Sequence, residues 1–396
     1  MPRIDEDVFI IAPLRTPIGK FGGAFLPLTA ADLGVAAVSG ALDRAGVSPE
    51  SVDELIFGNA RQAGVGPNVA RQVAIRSGMP NETPAYTVNQ ACGSGLRAII
   101  NAADQIRLGN ASLLVAGGTE SMSNTPYLMP RARWGLRMGD DEVIDGMYRD
   151  GFMCPLADEL MGSTAETLAD RYEISREEQD QFAVESQKRA EQAQNEGRFA
   201  DEIVPVSVPS RKGVIVVDRD EHPRAGATVE GLARLKPVFR ENGTVHAGNA
   251  SGVTDGASAM LVAGAEAIER FGLRPMARIR GYAQAAVDPK IMGIGPVPAT
   301  KRLLSELGMQ LSDIDLIELN EAFAAQVLAC DRELTMDRAR LNVHGGAIAL
   351  GHPIGATGAR IVTTLLHAMK ARDKSLGLAT LCISGGMGLS MVLERV

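Results

Sequence analysis

Aromatic residues are scarce in this sequence, which has one tryptophan, five tyrosines and ten phenylalanines among 396 residues. The core must therefore be built mainly from aliphatic side chains. With 45% hydrophobic residues and 43 glycines, the composition is typical of a globular α/β protein and excludes a disordered chain. Because the length exceeds one ordinary domain, we expect two or three domains or one duplicated fold.

Cysteine is also rare, with Cys92, Cys154, Cys330 and Cys382 as the four examples. No CxxC pair occurs, and the spacing does not fit a zinc site, so no metal is predicted. Four cysteines permit two disulfides, but a chain of this length needs no covalent cross-links. We therefore expect reduced thiols.

Long apolar runs and clustered basic residues are missing as well. No run reaches the length of about 18 residues that a membrane span needs. The N-terminal stretch MPRIDEDVFIIAPLR carries three acidic residues among its first seven and lacks the apolar region of a signal peptide. We therefore expect a cytoplasmic protein with no membrane partner. With a net charge of −8 and no basic stripe, nucleic acid is not an expected partner either.

Short apolar runs alternate with longer helical patterns along most of the chain, which predicts sheets covered by helices. The predicted strands are 8–12, 54–58, 112–118, 277–283, 316–319 and 378–383. The predicted helices are 29–46, 94–109, 298–308, 322–330 and 357–371.

The two ends of the chain repeat one another. GVSPESVDELIFG from Gly46 aligns with GMQLSDIDLIELN from Gly308, a shift of 262 residues. SGLRAI from Ser94 then aligns with TGARIV from Thr357, and LLVAGG (113–118) with LCISGG (381–386). Chance likeness between apolar strands would not preserve this order at a nearly constant shift. We interpret the pattern as a duplication.

The stretch between the two halves, about 120–275, has a different character. It is rich in Met, Arg and Asp over 122–150 and carries a charged helical pattern over 163–197. Ser175 followed by Glu178 forms a capping-box signature, which predicts a helix that begins near Arg176. We expect this insertion to cover one end of the duplicated core and to hold substrate.

Cys92 occupies a turn, NQACGSG, between a predicted strand and a predicted helix. The unpaired N–H groups at a helix N-terminus favour a thiolate, and Gly93 and Gly95 permit a sharp turn. The turn therefore offers a nucleophile together with donors for an oxyanion. A small thiol packed into a tight joint explains the turn equally well at this point.

The second half places three further reactive groups at comparable turns. His352 stands in a glycine-flanked turn before a helix, and Cys382 ends an apolar strand before another glycine turn. Asn320 follows a predicted strand and could hold a water or a carbonyl oxygen. A histidine can accept a thiol proton near neutral pH, and a second cysteine can exchange a proton with carbon.

Together these motifs resemble the thiolase family, and the resemblance covers nearly the whole chain. The matching motifs are APLRTPIGKFGG (12–23), NQACGSG (89–95), GGTESMS (117–123), AGNASGVTDGA (247–257), NEAF (320–323), GHPIGATGAR (351–360) and CISGGMG (382–388). The resemblance implies a duplicated α/β thiolase fold, a five-layer αβαβα core with an inserted loop domain, in a homodimer or homotetramer. Residues 1–120 would form the first core half, completed by about 250–275. Residues 121–250 would form the loop domain over the active site, and 276–396 the second half.

The resemblance also implies a chemistry, namely reversible acyl transfer between acyl-CoA and acetyl-CoA, as in fatty acid metabolism. Cys92 would carry the acyl group as a thioester intermediate in a ping-pong reaction. His352 would activate Cys92 and, with a water held by Asn320, stabilise the enolate of acetyl-CoA. Cys382 would exchange the α-proton, and the backbone N–H groups of Cys92 and Ser384 would form the oxyanion site.

Coenzyme A and acetyl-CoA are implied as substrates, and no permanently bound cofactor is expected. In the family, the loop domain holds most of the CoA molecule. The matching positions are Arg224 for the phosphates, Leu235, Phe239, Ala247 and Ser251 along the rest of CoA, and Phe323, Met161 and Met292 near the acyl end. Leu235 and Phe239 serve equally well as ordinary core residues, and Arg224 as a solvated surface charge.

Two positions depart from the family pattern. Ser384 stands where thiolases usually have glycine, and Leu160 stands where acetoacetyl-specific biosynthetic members usually have histidine. The sequence is therefore compatible with strict acetyl transfer and with broader 3-oxoacyl-CoA thiolysis. A catalytically impaired, thiolase-like protein that only binds acyl-CoA is the alternative. A nicotinamide dehydrogenase is disfavoured because no GxGxxG motif follows the first strand.

Overall fold

A computed structural model describes residues 6–396. The first five residues, on which the signal-peptide prediction partly depends, lie outside the described residues. The strands are β1 (Val8–Arg15), β2 (Gly19–Lys20), β3 (Glu54–Gly58), β4 (Ala85–Val88), β5 (Leu113–Ser121), β6 (Tyr127–Leu128), β7 (Ile144–Asp145), β8 (Met153–Cys154), β9 (Glu159–Leu160), β10 (Val206–Ser210), β11 (Gly213–Val217), β12 (Thr254–Gly264), β13 (Ala277–Ala286), β14 (Leu316–Leu319), β15 (Leu376–Ile383) and β16 (Met387–Arg395). The helices are α1 (Ala30–Ala45), α2 (Val69–Arg76), α3 (Ser94–Arg107), α4 (Met161–Arg171), α5 (Arg176–Asn195), α6 (Val229–Ala233), α7 (Ala265–Phe271), α8 (Pro296–Leu307), α9 (Ala324–Leu334), α10 (Ala347–Leu350) and α11 (Ile354–Ala371).

The main sheet has two halves of the same design. Its strands follow the order β14-β15-β16-β13-β1-β12-β5-β3-β4, and β13 and β1 are joined through two residue pairs only. In the first half, β3 runs parallel to β5. Strand β5 pairs antiparallel with β12, and β12 pairs antiparallel with β1. In the second half β14, β15, β16 and β13 repeat this sequence of pairings. Even the outermost pairing recurs, because Leu341 forms a parallel bridge to Ile317 as β4 does with β3. The predicted duplication is confirmed.

Helices and half-sheets stack in five layers, as expected. Helix α1 packs on the outer face of the first half and α8 on the outer face of the second, while α3 and α11 lie together between the halves. The strands are consequently buried on both faces: Leu55 of β3 belongs to the outer core and Ile56 to the central one.

The two central helices cross at glycines in equivalent places of the repeat. A Cβ on Gly95 would lie 2.8 Å from the backbone nitrogen of Ala359, and one on Gly358 would lie 2.2 Å from that of Leu96. Neither position has room for a side chain. This close approach brings the N-terminal ends of α3 and α11 together, and Cys92 and His352 stand directly before those two ends.

Most predicted elements are present within a few residues of their expected bounds. The Ser175–Glu178 capping box begins α5 at Arg176 as predicted, although the helical pattern over 163–197 forms two helices, α4 and α5. Strand β12 was missed, and it is buried along its whole length. Its apolar run, AMLVA, fills only the second half of the strand, and the preceding TDGAS mixes small and polar residues that give no sign of a buried strand.

Between β5 and β12 the chain forms short hairpins and the helices α4, α5 and α6. This is the stretch for which a covering loop domain is predicted, and the proposed domain bounds stay a prediction. No helix within residues 6–396 is long and apolar enough to cross a membrane.

Candidate active site

Cys92 lies on a tight turn between β4 and α3. Ala91 before it has a left-handed backbone with φ of 46°, a conformation that costs a non-glycine residue about 1 kcal/mol. The turn is held by the Ser94 hydroxyl, which donates to the Ala91 carbonyl at 2.6 Å and accepts from the Gln90 N–H at 2.9 Å. The Cys92 residue is only 7% exposed. The strained, braced turn fixes the sulfur in one place, as is common at functional sites.

A second turn, from the other half of the molecule, meets this sulfur. Strand β15 ends at Ile383, and the turn that follows uses left-handed backbone at Gly385 and Gly386, with φ of 86° and 85°. The backbone N–H of Ser384 lies within hydrogen-bonding reach of the Cys92 sulfur, as does the N–H of Cys92 itself, and both lower the pKa of the thiol. The predicted pair of oxyanion donors is therefore brought together at this sulfur.

The pKa of the Cys92 thiol is nevertheless raised overall in the free site. Burial raises the pKa of the Cys92 thiol above its ordinary value, and the negative charge of Glu120 adds to this effect. The two N–H groups and the positive charge of Arg61 oppose it without overcoming it. The N–H groups thus favour the thiolate, as predicted for this turn, but burial outweighs them in the free site. A base has to remove the proton.

His352 offers the kind of free ring nitrogen that such a base requires. Its Nδ1 lies 2.6 Å from the Thr357 hydroxyl oxygen, and that hydroxyl donates to the Pro353 carbonyl at 3.0 Å. Because the single hydroxyl proton is used there, we assign the ring proton to Nδ1, which leaves the lone pair on Nε2. Nε2 is buried and has no hydrogen-bond partner in the described part of the chain.

His352 is electrically neutral in the free site. Burial lowers its pKa to about 3, helped by the positive charges of Arg360 and Arg61. The imidazole therefore does not titrate near neutral pH, whereas the sequence predicts a histidine that accepts a thiol proton in that range. It can still accept a proton during the reaction, and it will give that proton up readily because the charged form is disfavoured.

Asn320 carries a second unsatisfied polar group. Its backbone N–H donates to the Thr380 carbonyl at 3.0 Å, which fixes it beside β15 just beyond the end of β14. Its side chain is fully buried, and neither amide atom finds a partner among residues 6–396. Buried amides without partners are rare in native proteins, so such a group indicates a place for water or ligand.

Cys382 lies in a small apolar cluster next to the nucleophile. The cluster consists of Met292, Ala322 and Cys382, with Met161 and Phe323 packed against it. Burial raises the pKa of the Cys382 thiol well above its ordinary value, and the neighbouring thiols of Cys92 and Cys330 act in the same direction. Cys382 therefore holds its proton in the free site. All four cysteines are free thiols.

Comparison with known proteins decides the family. The model of the thiolase N-terminal domain matches residues 8–266, and that of the thiolase C-terminal domain matches residues 273–395. The chain belongs to the thiolase family. It is thus an acyltransferase whose chemistry is thiolysis and its reverse, Claisen condensation, as the motifs predicted.

Relatives match this thiolase along its whole length. It is 53% identical over 391 residues to the acetyl-CoA acetyltransferase of Pseudomonas aeruginosa, covering 98% of this chain and 100% of the relative. It is 52% identical over 392 residues to that of Escherichia coli, covering 99% and 100%. The crystal structure of the Bacillus anthracis acetyl-CoA acetyltransferase superposes with a TM-score of 0.97 at 45% identity over 100% of both chains. That of human mitochondrial 3-ketoacyl-CoA thiolase gives 0.97 at 43%, covering 99% and 100%. The predicted fold class is confirmed.

Several predicted CoA contacts of the thiolase surround the apolar cluster at Cys382. The Phe239 and Phe323 rings meet edge to face with centroids 6.1 Å apart, and the Ser251 N–H donates to the Ala322 carbonyl at 2.9 Å. Leu235 packs against Gly248, since a Cβ added to Gly248 would lie 2.7 Å from Cδ1 of Leu235.

Two other predicted CoA residues lie at the surface. Ala247 is exposed, and so is Arg224, whose backbone N–H donates to the Gln187 side chain at 2.8 Å. The structure does not place the Arg224 side chain beside the reactive groups. The CoA roles of all these residues stay predictions.

Sequence reasoning missed two charged residues of this thiolase site, Glu120 and Arg61. The Glu120 carboxylate is fully buried and accepts hydrogen bonds from the N–H groups of Ala60, Arg61 and Gly355 and from the Asn59 side chain. Glu120 belongs to the GGTESMS motif, which could have identified it. Arg61 lies in no recognised motif. Among the described residues, no cluster of His, Cys, Asp and Glu is arranged to hold a metal ion.

Proposed function

We propose that this thiolase transfers short acyl groups, acetyl above all, through a thioester on Cys92. The observation that carries the proposal is the meeting of the Cys92 sulfur with the Ser384 N–H of the other half. A carbon bonded to that sulfur would place its oxygen near two backbone donors, which is the geometry that stabilises a tetrahedral oxyanion. The full-length similarity to acetyl-CoA acetyltransferases supports the choice of acetyl.

Thiolysis begins with a 3-oxoacyl-CoA and the free site. Cys92 passes its proton to Nε2 of His352, and its sulfur attacks the 3-oxo carbon. The resulting oxyanion is held by the N–H groups of Cys92 and Ser384. The bond between carbons 2 and 3 then breaks, which leaves the acyl group on Cys92 and the electron pair on the enolate of acetyl-CoA.

The enolate then receives a proton from Cys382. The protonated state of this thiol in the free site suits that step, because burial strongly favours the neutral form. The unpaired amide of Asn320, through a water, and His352 stabilise the enolate oxygen until the proton arrives. Acetyl-CoA leaves, and the thiol of a second CoA passes its proton to the Cys382 thiolate as its sulfur attacks the Cys92 thioester. The Cys92 sulfur that is released then takes its proton back from His352. Condensation is the same path reversed, with Cys382 as the base.

Substrate size is limited by the apolar cluster beside Cys382. Met292 is buried there, and Met161 and Phe323 close the same space. These side chains leave room for a short chain and oppose long or branched ones. We further propose that Arg224, Leu235, Phe239, Ala247 and Ser251 hold CoA, that the enzyme is a homodimer or homotetramer, and that it works in the cytoplasm.

The test is the loss of acetoacetyl-CoA absorbance on addition of CoA, followed by the same assay with longer 3-oxoacyl-CoAs. We expect turnover with kcat/KM falling as the chain lengthens, and an acetylated Cys92 peptide after incubation with acetyl-CoA. Cys92→Ala should remove both the activity and the acetyl group, whereas Cys330→Ala, at a buried thiol outside the site, should retain the acetyl group. Absence of turnover on every chain length would refute the enzyme and leave the acyl-CoA-binding alternative.

A further inference from the structure

Arg61 lies beside the nucleophile because of the order of the strands. Strand β3 lies between β4 and β5 and is parallel to both, so the segments that follow the three strands leave the same edge of the sheet together. The segments after β3 and β4 carry Arg61 and Cys92, and Glu120 lies at the same edge, near the end of β5 itself. The Asn89 side chain donates to the Ala60 carbonyl at 3.3 Å and joins the Arg61 segment to the Cys92 turn.

The Arg61 guanidinium is enclosed by residues 150–152, which lie between β7 and β8. The residue is 5% exposed, and its Nη1 donates to the Asp150 carbonyl at 3.1 Å. The guanidinium lies 5.8 Å from the centre of the Phe152 ring. A Cβ on Gly151 would come within 2.2 Å of Nη2, so the backbone of this segment closes directly over the charge.

This buried charge is poorly compensated. Nε and Nη2 of Arg61 have no hydrogen-bond partner within residues 6–396, and no carboxylate of that range forms an ion pair with it. The charges of Glu120 and Asp150 raise the pKa of Arg61 without forming an ion pair, and the Glu120 carboxylate is bonded instead to backbone N–H groups and to Asn59. A buried guanidinium remains charged at neutral pH, and leaving it uncompensated is costly. A protein keeps such an unfavourable buried charge where a nearby group becomes negative during the reaction.

The charged and titratable groups around Cys92 identify that partner. Cys382 of β15, the Ser384 N–H in the turn after it, and Glu120 of β5 interact with Cys92. Neutral His352 precedes α11, and the charge of Arg61 acts on it. Among the side chains that influence Cys92, Arg61 is the cation that lowers the pKa of its thiol, and Cys92 in return raises the pKa of Arg61. The same charge lowers the pKa of His352.

We propose that Arg61 is a positioning residue that acts through Cys92, its buried positive charge stabilising the thiolate from which each acyl transfer starts. The proposal rests on the proposed function of Cys92 as the nucleophile. It assigns no contact with substrate to Arg61. In the acyl-enzyme the sulfur is uncharged, so the charge of Arg61 favours the free thiolate over the acylated state and assists release of the acyl group to CoA.

The test is the rate at which iodoacetamide alkylates the Cys92 peptide, measured by mass spectrometry from pH ~6 to ~10, a range that brackets an ordinary thiol. We compare Arg61→Gln, which removes the charge, with Arg61→Lys, which keeps it. Both variants lose the guanidinium, so a common loss of stability cancels between them. Arg97→Gln is the control, since Arg97 is a cation that bonds the Gln90 side chain in the same turn at 2.9 Å.

We expect Arg61→Gln to shift the alkylation profile to higher pH and to slow the reaction about tenfold at neutral pH. Arg61→Lys should lie close to the wild type, and Arg97→Gln should be unchanged. A wild-type profile for Arg61→Gln, or equal shifts for Gln and Lys, would overturn the proposal. Alkylation needs no acyl-CoA, so this outcome is independent of whether acetoacetyl-CoA is turned over.

Discussion

The Glu120 carboxylate accepts the backbone N–H of Gly355 at 2.8 Å, three residues after His352. Glu120 is the last residue but one of the first half's β5, and Gly355 is the second residue of the second half's α11. One carboxylate therefore connects the two repeats at the level of the reactive groups. Its other hydrogen bonds go to the segment after β3, so Glu120 sets the distance between that segment and the His352 turn.

Glu120→Gln should disrupt this connection without changing the side-chain volume. All four partners of the carboxylate are donors, so the amide NH2 would face N–H groups and leave some of them unsatisfied. We expect a loss of about 2 kcal/mol in the free energy of unfolding and a lower kcat. Denaturant unfolding and steady-state kinetics measure the two effects. The exposed Glu82→Gln serves as control, and equal stability of the two variants would contradict the role of Glu120.

Cys382→Ala should separate acylation of Cys92 from the exchange of the carbon–carbon bond. Acylation of Cys92 by acetyl-CoA does not need the α-proton, so the acetylated Cys92 peptide should still form. Exchange of the carbon–carbon bond should fall about 100-fold or more, because the general acid and base is gone. Deuterium exchange into acetyl-CoA offers a direct measurement of the proton step. Near-normal exchange in this variant would remove Cys382 from that role.

His344→Asn should stabilise the protein in acid. Burial lowers the pKa of His344 to about 4 from an ordinary 6.5. Between these values the unfolded chain binds more protons than the folded one, so stability is lost as the pH falls through this window. Asparagine does not titrate. The free energy of unfolding of the variant minus that of the wild type should therefore be about 2 kcal/mol larger at pH ~5 than at pH ~8. Thermal unfolding at the two pH values checks this, and a difference independent of pH would refute it.

Gly358→Ala should loosen the crossing of the central helices. The added Cβ would lie 2.2 Å from a backbone atom of α3, which cannot move without shifting the Cys92 turn. We expect a loss of about 3 kcal/mol and a much lower acylation rate of Cys92. Gly231→Ala in α6 is the matched control, since its Cβ would meet only the Thr228 hydroxyl at 3.4 Å. Comparable stability of both variants would show that the helices do not touch so closely.

Local features of the sequence were enough to locate the reactive turns. Cys92, His352 and Cys382 each stand where a periodic pattern meets glycine, and such boundaries depend on neighbouring residues. The repeat of strands and helices likewise predicted two related halves. The full length of strand β12 was not predictable, because its first half, TDGAS, lacks an apolar pattern and is buried only by β1 and β5, more than a hundred residues away.

Motif order and periodicity are properties of the chain itself, and they indicated the family, the duplicated fold and the residue types that acyl transfer requires. The protonation of those residues depends instead on how the two halves pack. Cys92 is a thiol because burial outweighs the N–H groups around its sulfur, and His352 is neutral because burial and two nearby cations disfavour its charged form. Only the structure placed Arg61 and Glu120 at the site, since their closeness to Cys92 follows from the order of parallel strands and not from their distance in sequence.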